Sequence, residues 1–429
     1  MDQYTRSLSV ALTAVALSLA TPAQTSYRDK ANAAVTATRN STSETARPRL
    51  YVSAYTDSTD DTQAAQIARY SYATLGLAAW PNRESKNAAF VSSIRALNPR
   101  IKIGQYVILS ETRDSLGIGD PVNRWITEVD TNDWWLRDAS GHRVRSKTYN
   151  VHIINFTDYT KTNTKGERFP ETKARIDFDT LLKHLVPVGI DWIFIDNASE
   201  TWFSGNYKQN GSVQNYKDND VQSAWRRGIA SYADALRAKI PSIKILANAH
   251  TLGTTELYGK FEMGMRECLM GKYYSLENSS WEAMMESYRA MFHGLRNGSK
   301  DVIFGACGSS DGTNSAHYRY GLASALLEDG IFAYSEGNYQ RFPWYDESDV
   351  EIGAPVESPP SAPHSSGLWI RTYTNAMVLV NPSRSETLSV GIPPGYRKIK
   401  GKIDPTFNTG EEVSGVSLPP RSGMIIVRK

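Results

Sequence analysis

The sequence predicts an α/β fold, a (β/α)8 TIM barrel followed by a small C-terminal antiparallel β-sandwich. From Leu50 onward, short β-branched or aromatic runs alternate with helix-like segments, which is typical of parallel β/α units. The absence of a Gly-x-Gly-x-x-Gly motif after the first run disfavours the rival, an open doubly wound sheet. After Trp344 the pattern changes to short strands separated by turns, which indicates the second domain.

The predicted barrel strands are runs of large apolar residues, and their number is the one that closes this barrel. They are Leu50–Tyr55, Thr74–Ala79, Ile101–Val107, Trp192–Asp196, Ile243–Asn248, Phe261–Glu267, Val302–Ala306 and Ile331–Ser335. Helical patterns that stop at proline or glycine fill the gaps between them. These helices are Thr62–Ala73, Asn87–Leu97, Phe178–Leu185, Val221–Lys239, Trp281–Leu295 and Ala316–Leu327.

The longest excursion lies between the third and fourth predicted strands. It carries Trp125, Trp134, Trp135, Asp138 and the run Val151–Phe156. Loops that follow barrel strands build the active site, so this aromatic insertion could form one wall of a cleft. The alternative is that it packs on the outside of the barrel.

We expect the barrel to span residues 47–352 and the β-sandwich to span residues 366–429. The stretch Gly353–Gly367 contains four prolines among Ser and Ala, which marks a domain edge. The short runs after it are typical of antiparallel strands. These runs contain no cluster of residue types suited to catalysis or metal binding, so we assign this domain a packing role.

The N-terminal residues have the pattern of a secretory signal. An apolar run from Leu8 to Ala20 follows Arg6 and precedes Thr21-Pro22-Ala23, which predicts a signal peptide over residues 1–23. The run is too short to span a bilayer. Residues 24–46 are rich in Ala, Thr and Ser, as in a flexible leader. We therefore expect a secreted or periplasmic protein that does not contact the membrane after cleavage.

The charge balance gives no strong field that would attract nucleic acid. The 429 residues include 48 Lys+Arg and 45 Asp+Glu, for a formal net charge of +3, so partners must be sought in local chemistry. The chain has 10 Trp and 23 Tyr, side chains that stack on sugar rings as well as filling cores. We expect a polysaccharide or oligosaccharide partner and a monomeric protein.

Two predicted strands end in an acid, Asp196 on the fourth and Glu267 on the sixth. Residues two apart share a face of a strand, so Asp196 points with Trp192 and Phe194, and Glu267 points with Met265. Glu262 falls on the opposite face, roughly 16 Å lower at ~3.3 Å per residue. It is the runner-up to Glu267.

Two acids at one rim are the groups that glycosidic cleavage needs. One carboxylic acid protonates the leaving oxygen, and one carboxylate is the nucleophile or activates water. The sequence therefore predicts Asp196 and Glu267 as the catalytic pair, Asp196 as nucleophile or base and Glu267 as general acid, with the reverse assignment left open. The alternative for either acid is a structural ion pair, for which Arg266 is a candidate partner.

Other polar or aromatic residues lie at matching heights and could hold the sugar. Asn248 is the best of them, because an amide that ends an apolar run has few other reasons to be there. The predicted substrate-binding residues are Tyr55, Gln105, Tyr106, Asn197, Trp202, Asn248, His250 and Glu336. Glu200 is a further candidate on a rim loop.

Cys268 and Cys307 are the two cysteines of the chain, and they follow the sixth and seventh predicted strands. Neighbouring strands lie ~4.8 Å apart, so a disulfide is feasible, although we favour two buried free thiols. No His-x-His, His-Glu-x-x-His or cysteine pair at ligand spacing occurs. We predict no metal and no cofactor.

Several stretches of the chain resemble a known family. They are Ala96–Pro99 with Ile101–Tyr106, Gly189–Asn197, Met263–Glu267, Trp344-Tyr345-Asp346 and Met377–Pro382. From about Leu50 to the C-terminus the chain resembles the hypothetical glycosyl hydrolase-like barrels, distant relatives of the endo-α-1,4-polygalactosaminidase group. The resemblance implies a glycosidase barrel with a C-terminal β-domain and acids after the fourth and sixth strands.

We therefore predict a glycoside hydrolase that cleaves an extracellular or periplasmic polysaccharide. The alternative is a non-catalytic carbohydrate-binding barrel, in which the acids only accept hydrogen bonds. An exported deacetylase or lyase would need a metal cluster or a Tyr/His base pair, and the sequence shows neither clearly.

Overall fold

The computed structural model describes residues 47–55, 60–76, 84–112, 125–138, 140–146, 151–200, 219–249, 256–308 and 315–429. The predicted signal peptide and leader lie outside the described residues. The strands within the described ranges are β1 (Leu50–Ala54), β2 (Tyr72–Leu75), β3 (Lys102–Ile108), β4 (Glu111–Thr112), β5 (Arg145–Ser146), β6 (Val151–Ile153), β7 (Trp192–Asp196), β8 (Lys244–Asn248), β9 (Met263–Met270), β10 (Asp301–Cys307), β11 (Ile331–Ser335), β12 (Trp369–Thr372), β13 (Ala376–Asn381), β14 (Leu388–Gly391), β15 (Tyr396–Lys398), β16 (Gly415–Leu418) and β17 (Ser422–Arg428).

Eight of these strands form a closed parallel barrel in the order β1-β11-β10-β9-β8-β7-β3-β2. The predicted (β/α)8 barrel is confirmed. The fourth and sixth barrel strands are β7 and β9, and both pair with β8, which lies between them. Their carboxyl ends therefore meet at one side of one mouth.

The α-helices are α1 (Asp61–Ile67), α2 (Glu84–Leu97), α3 (Ile126–Asn132), α4 (Phe169–Asp177), α5 (Asn219–Lys239), α6 (Trp281–Ala290) and α7 (Ser315–Leu326). After α4 the chain continues through a π-helical turn (Phe178–Leu182) and a short helical turn (Lys183–Leu185). Short 3₁₀ turns are Val186–Val188, Glu256–Lys260, Leu276–Asn278, Arg296–Gly298 and Asp346–Asp349.

The predicted first helix, Thr62–Ala73, was too long. Asp60 caps its start by accepting a hydrogen bond from the Gln63 backbone N–H at 2.9 Å, and the helix ends at Ile67. Tyr72 already begins β2, which pairs on both sides with β1 and β3. Two ladders of interstrand hydrogen bonds outweigh the helical preference of a few residues.

The interior of the barrel is an apolar core below the mouth. It contains Tyr51, Trp192, Phe194, Leu246, Met263, Met265, Ile303, Ile331 and Ala333. Trp192 and Phe194 on β7, and Met263 and Met265 on β9, face inward as the alternation predicted. A Cβ on Gly104 of β3 would lie 1.9 Å from the Trp192 indole nitrogen, so this glycine makes room for the tryptophan.

In the described residues, the excursion between β3 and β7 packs its tryptophans around the outside of the barrel. It forms the three-stranded sheet β4-β6-β5, and Trp125, Trp134 and Trp135 are buried in the layer around the barrel. Asp138 accepts backbone hydrogen bonds from Ser140 and His142, both at 2.9 Å, and so holds a turn. These indole rings are core residues, and the cleft-wall interpretation was wrong for them.

The C-terminal part forms antiparallel sheets, as predicted. One has the order β12-β13-β17-β15, and the other pairs β14 with β16. This part docks on α7 and the turn after it: the Tyr373 hydroxyl donates to the Leu326 carbonyl at 2.6 Å. None of the helices in the described ranges is both long and apolar enough to cross a membrane.

Candidate active site

Asp196, Asn248 and Glu267 come together at the carboxyl ends of β7, β8 and β9. The Asn248 side-chain nitrogen donates to Asp196 Oδ1 at 2.9 Å and to Glu267 Oε2 at 3.2 Å. The Asn248 Oδ1 in turn accepts from the Glu267 backbone N–H at 3.2 Å. One amide therefore bridges the two acids that the sequence predicted as a pair.

The shared amide limits the separation of the acids. The two oxygens that it binds cannot be more than about 6.1 Å apart, the sum of the two hydrogen-bond distances.

Asp196 is surrounded by hydrogen-bond donors. In addition to Asn248, it accepts from the Tyr106 hydroxyl at 2.9 Å and from the Asn197 backbone N–H at 3.0 Å. Burial raises the pKa of Asp196, and the bonds from Tyr106, Asn248 and Asn197 counteract that rise because they stabilise the anion.

Glu267 has fewer donors and a negative neighbour. The Tyr339 hydroxyl donates to its Oε1, and Asn248 contacts the other oxygen. Burial and then the charge of Asp196 raise the pKa of Glu267, while Tyr339, Asn248 and the Lys272 ammonium oppose the rise. Of the two acids, Glu267 is thus the better placed to hold a proton.

Three tyrosines line the mouth beside the acids. The ring centroids of Tyr55 and Tyr106 are 4.7 Å apart, and those of Tyr55 and Tyr339 are 4.9 Å apart. The Tyr55 backbone N–H donates to the Tyr339 carbonyl at 3.1 Å, which ties the loop after β11 to the end of β1. Burial raises the pKa of all three hydroxyls, so they remain donors at neutral pH.

Glu267 sits on a bulge that a disulfide fastens. Arg266 pairs with Phe304 and Met270 with Ala306, so β9 has two more residues than β10 between these pairs. Within the bulge, Cys268 is bonded to Cys307, with the Cα atoms 5.6 Å apart. The expectation of free thiols was wrong, because the bulge brings Cys268 towards β10. Arg266 does not pair with Glu267 in the described contacts; it reaches Ser287 instead.

Asn197 bends the chain away from β7 with a positive φ of 56°, a conformation that asparagine tolerates better than most residues. Its side chain donates to Glu111 Oε1 at 2.9 Å, which brings a third acid to the mouth. Sequence reasoning missed Glu111 and Tyr339. Glu111 follows a strand as Asp196 does, whereas no periodic pattern marks Tyr339.

Two of the other predicted site residues make hydrogen bonds to groups outside the acid pair. Gln105 is buried and donates to the Tyr106 carbonyl at 2.8 Å; since its neighbour Tyr106 faces the barrel interior, Gln105 faces the helices and cannot share the mouth. Glu336 accepts from the Tyr345 hydroxyl at 2.6 Å and has no described hydrogen bond to the pair. Trp202 and His250 lie outside the described residues.

Glu262 belongs to a separate ion-pair cluster. It contacts Arg237 at 2.9 Å and Arg296 at 3.1 Å, and it accepts from the Ile245 backbone N–H at 2.9 Å. Glu200, the further rim candidate, is buried. Neither contributes a described contact to the Asp196–Glu267 pair.

Among the described residues, ligand atoms of Glu267, Cys268 and Cys307 lie within 4.8 Å of one another. Both sulfurs are committed to the disulfide, so in this oxidised state the set offers one carboxylate rather than a metal-binding triad.

A closed parallel barrel carries two bridged acids at its mouth, and a family model identifies it as a glycoside hydrolase-like TIM barrel. The model of hypothetical glycosyl hydrolase family 15 matches residues 95–377, well over half of the chain. The protein belongs to that family.

Solved structures resemble the chain at low identity. A family 27 β-L-arabinopyranosidase from Geobacillus stearothermophilus, in complex with arabinose, has a TM-score of 0.50 and 10% identity over 90% of this chain and 98% of its own. The glycoside hydrolase domain of PelA from Pseudomonas aeruginosa has a TM-score of 0.41 and 12% identity over 68% of this chain and 97% of its own. A search of curated proteins finds no match.

Proposed function

We propose that this protein hydrolyses the O-glycosidic bonds of a polysaccharide with Asp196 and Glu267. The observation that carries the proposal is the shared amide: Asn248 bonds both carboxylates at one mouth of the barrel. A structural acid usually pairs with a cation, as Glu262 does with Arg237. Two half-buried acids held together by a neutral donor suit catalysis instead.

The surroundings of each acid favour one assignment of roles. Asp196, which accepts three hydrogen bonds, is the anion and the nucleophile. Glu267, next to that negative charge, keeps its proton and is the general acid. The three tyrosines at the mouth would orient the sugar.

The separation of the acids favours retention of anomeric configuration. Retaining enzymes hold their carboxyl groups about 5–5.5 Å apart and inverting enzymes about 6.5–9.5 Å; the bridged oxygens here are at most about 6.1 Å apart. Asp196 would attack the anomeric carbon while Glu267 protonates the leaving oxygen. Glu267 would then take a proton from the water that cleaves the glycosyl ester.

We extend the proposal to a reaction outside the cytoplasm, on an extracellular or periplasmic polysaccharide. The apolar run Leu8–Ala20 supports export. The Cys268–Cys307 disulfide supports an oxidising compartment.

The test compares Asp196→Asn and Glu267→Gln with the unmodified protein on a polysaccharide panel, by release of new reducing ends. We expect each variant to lose at least ~10³-fold in turnover, since each removes a group that acts in the transition state, while oligosaccharide binding persists. Glu286→Gln makes the same exchange on an exposed position of α6 and should keep full activity.

Two outcomes contradict the proposal. If the unmodified protein binds a polysaccharide but releases no reducing ends, the chain is a carbohydrate-binding barrel. If both acid variants keep their turnover, the catalytic groups lie elsewhere.

A further inference from the structure

The turn that follows β9 presents two tyrosines to solvent. Tyr273 is 90% exposed and Tyr274 is 44% exposed, and both are among the few large apolar or aromatic side chains that are exposed in the described residues. Exposed aromatic rings leave apolar surface in contact with water, and such surface commonly marks a binding site. The question is whether its position and rigidity suit a ligand.

This turn is held rigidly from below. The Lys272 backbone N–H donates to Ser275 Oγ at 3.0 Å, and the Ser275 hydroxyl donates to the Cys268 carbonyl at 2.8 Å. Ser275 itself is buried. The turn leaves β9 through Gly271, whose φ is 94° and where a Cβ would lie 1.6 Å from the Cys307 carbonyl oxygen. Tyr273 is therefore an exposed side chain on a turn whose backbone is held by hydrogen bonds.

The tyrosine pair is continuous with the catalytic acids. The Tyr274 hydroxyl lies 3.7 Å from Cys268 Sγ, and a carboxylate oxygen of Glu267 lies within 4.8 Å of the same sulfur. The rings of Tyr273 and Tyr274 meet edge to face, with centroids 5.2 Å apart. Lys272, in the same turn, is near enough for its charge to lower the pKa of Glu267. We call Tyr273 and Tyr274 the tyrosine platform. This platform thus adjoins the mouth on the side of the proposed general acid.

We propose that Tyr273 forms a sugar-binding subsite, on which a pyranose ring of the polymeric substrate stacks beyond the unit that is cleaved. The proposal rests on the proposed function. The C–H face of a pyranose is apolar and flat, and covers a phenol ring while its hydroxyls stay in water. Tyr274 supports Tyr273 edge-on and carries the platform towards Glu267.

If the subsite lies beyond the cleaved sugar unit, the effect of removing it on kcat/KM should depend on the length of the substrate. Tyr273→Ala should lower kcat/KM about tenfold on long oligosaccharides, from roughly 50 Å² of apolar ring face left uncovered. The shortest oligosaccharide that the enzyme cleaves cannot reach the platform, so its kcat/KM should not change. Tyr273→Phe keeps the ring and should match the unmodified protein at every chain length.

The experiment measures kcat and KM for a ladder of oligosaccharides with these three proteins, after thermal melts have checked folding. Equal losses at all lengths, or no loss at any length, would overturn the subsite while the proposed function stands. An unmodified protein that cleaves no member of the ladder or the polymer overturns the proposed function, and the subsite with it.

Discussion

Asn248 is the residue on which the chemistry of the mouth depends most. Its amide fixes the distance between Asp196 and Glu267, and its Oδ1 accepts from the backbone of Glu267. Because the acids share one donor and lie close together, their protons are coupled. The first proton to leave should come from Asp196, and its negative charge then holds the second on Glu267.

Tyr339→Phe tests the assignment of roles through the pH dependence of kcat/KM. Burial and the charge of Asp196 raise the pKa of Glu267, and the Tyr339 hydroxyl lowers it by donating to the anion. Removing that hydroxyl should raise the pKa further. A general acid must be protonated, so we expect the alkaline limb of the profile to move to higher pH.

A shift of the acidic limb alone would instead identify Glu267 as the group that must be ionised. Tyr345→Phe is the matched control, since the Tyr345 hydroxyl bonds Glu336 rather than the pair. It should leave both limbs in place.

The acids and the amide were predictable from sequence because each ends an apolar strand whose alternation sets its direction. Tyr339 was not, since it lies in a loop 72 residues from Glu267 and has no strand to orient it. Gln105 shows that position along a strand is not enough to predict a site residue. It is next to Tyr106 in β3, yet adjacent strand residues point to opposite faces.

At the scale of elements, the bulge in β9 decides where Glu267 stands. Three residues, Glu267 to Leu269, lie opposite one residue of β10, which turns the chain at the rim. The disulfide closes this bulge against Cys307. Sequence spacing placed the two cysteines on neighbouring strands but could not reveal the bulge that brings the sulfurs together.

We expect Cys268→Ala/Cys307→Ala to lose activity as well as stability. The bridge spans 39 residues of sequence, for which a chain-entropy model gives about 3–4 kcal/mol of stabilisation. Loosening the bulge should also let Glu267 drift from Asn248, so kcat should fall about tenfold or more. Chemical unfolding and steady-state kinetics, each with and without a dithiol reductant, measure the two effects.

The chain has no other cysteine, so the double variant should not respond to reductant, whereas the unmodified protein should. If reduction lowers the unfolding midpoint but leaves kcat unchanged in the folded protein, the bridge stabilises the barrel without positioning Glu267.

At the scale of the whole molecule, the C-terminal sheets are fastened to the barrel by charge as well as by packing. Asp346 accepts backbone hydrogen bonds from Lys402, Ile403 and Asp404 at 2.8–3.1 Å. Arg319 of α7 contacts Asp404 at 2.8 Å. Asp346 belongs to one of the stretches that resemble the glycosidase-like barrels, so part of that resemblance marks a structural anchor.

Asp346→Asn should destabilise the protein by about 1–2 kcal/mol at pH 7, the effect of weakening hydrogen bonds to a charged group. Partial burial works against ionisation, but the backbone donors prevail and lower the pKa of Asp346. A lowered pKa gives stability that is present above the pKa of the unfolded state and is lost as the pH falls. The difference between the two proteins in urea unfolding should therefore shrink between pH 5 and about pH 3; a constant difference would show that the charge plays no part.

The barrel was predictable as a whole because each of its strands is marked by its own apolar run, and eight runs leave few ways to close; in the C-terminal sheets β16 escaped prediction. The boundary between α1 and β2 was not, because only pairing with two neighbours ends the helix at Ile67. The buried position of Trp125, Trp134 and Trp135 likewise depends on contacts that no local pattern records.

The bridging group between the acids is an amide and not a cation, and this has a consequence for the protonation of the proposed catalytic pair. A lysine or arginine in the place of Asn248 would favour ionisation of both carboxyl groups and leave no proton to donate at neutral pH. The uncharged amide of Asn248 holds the acids together without removing the difference in how readily each of them ionises. One can stay charged and the other neutral, as a reaction that needs both forms at once requires.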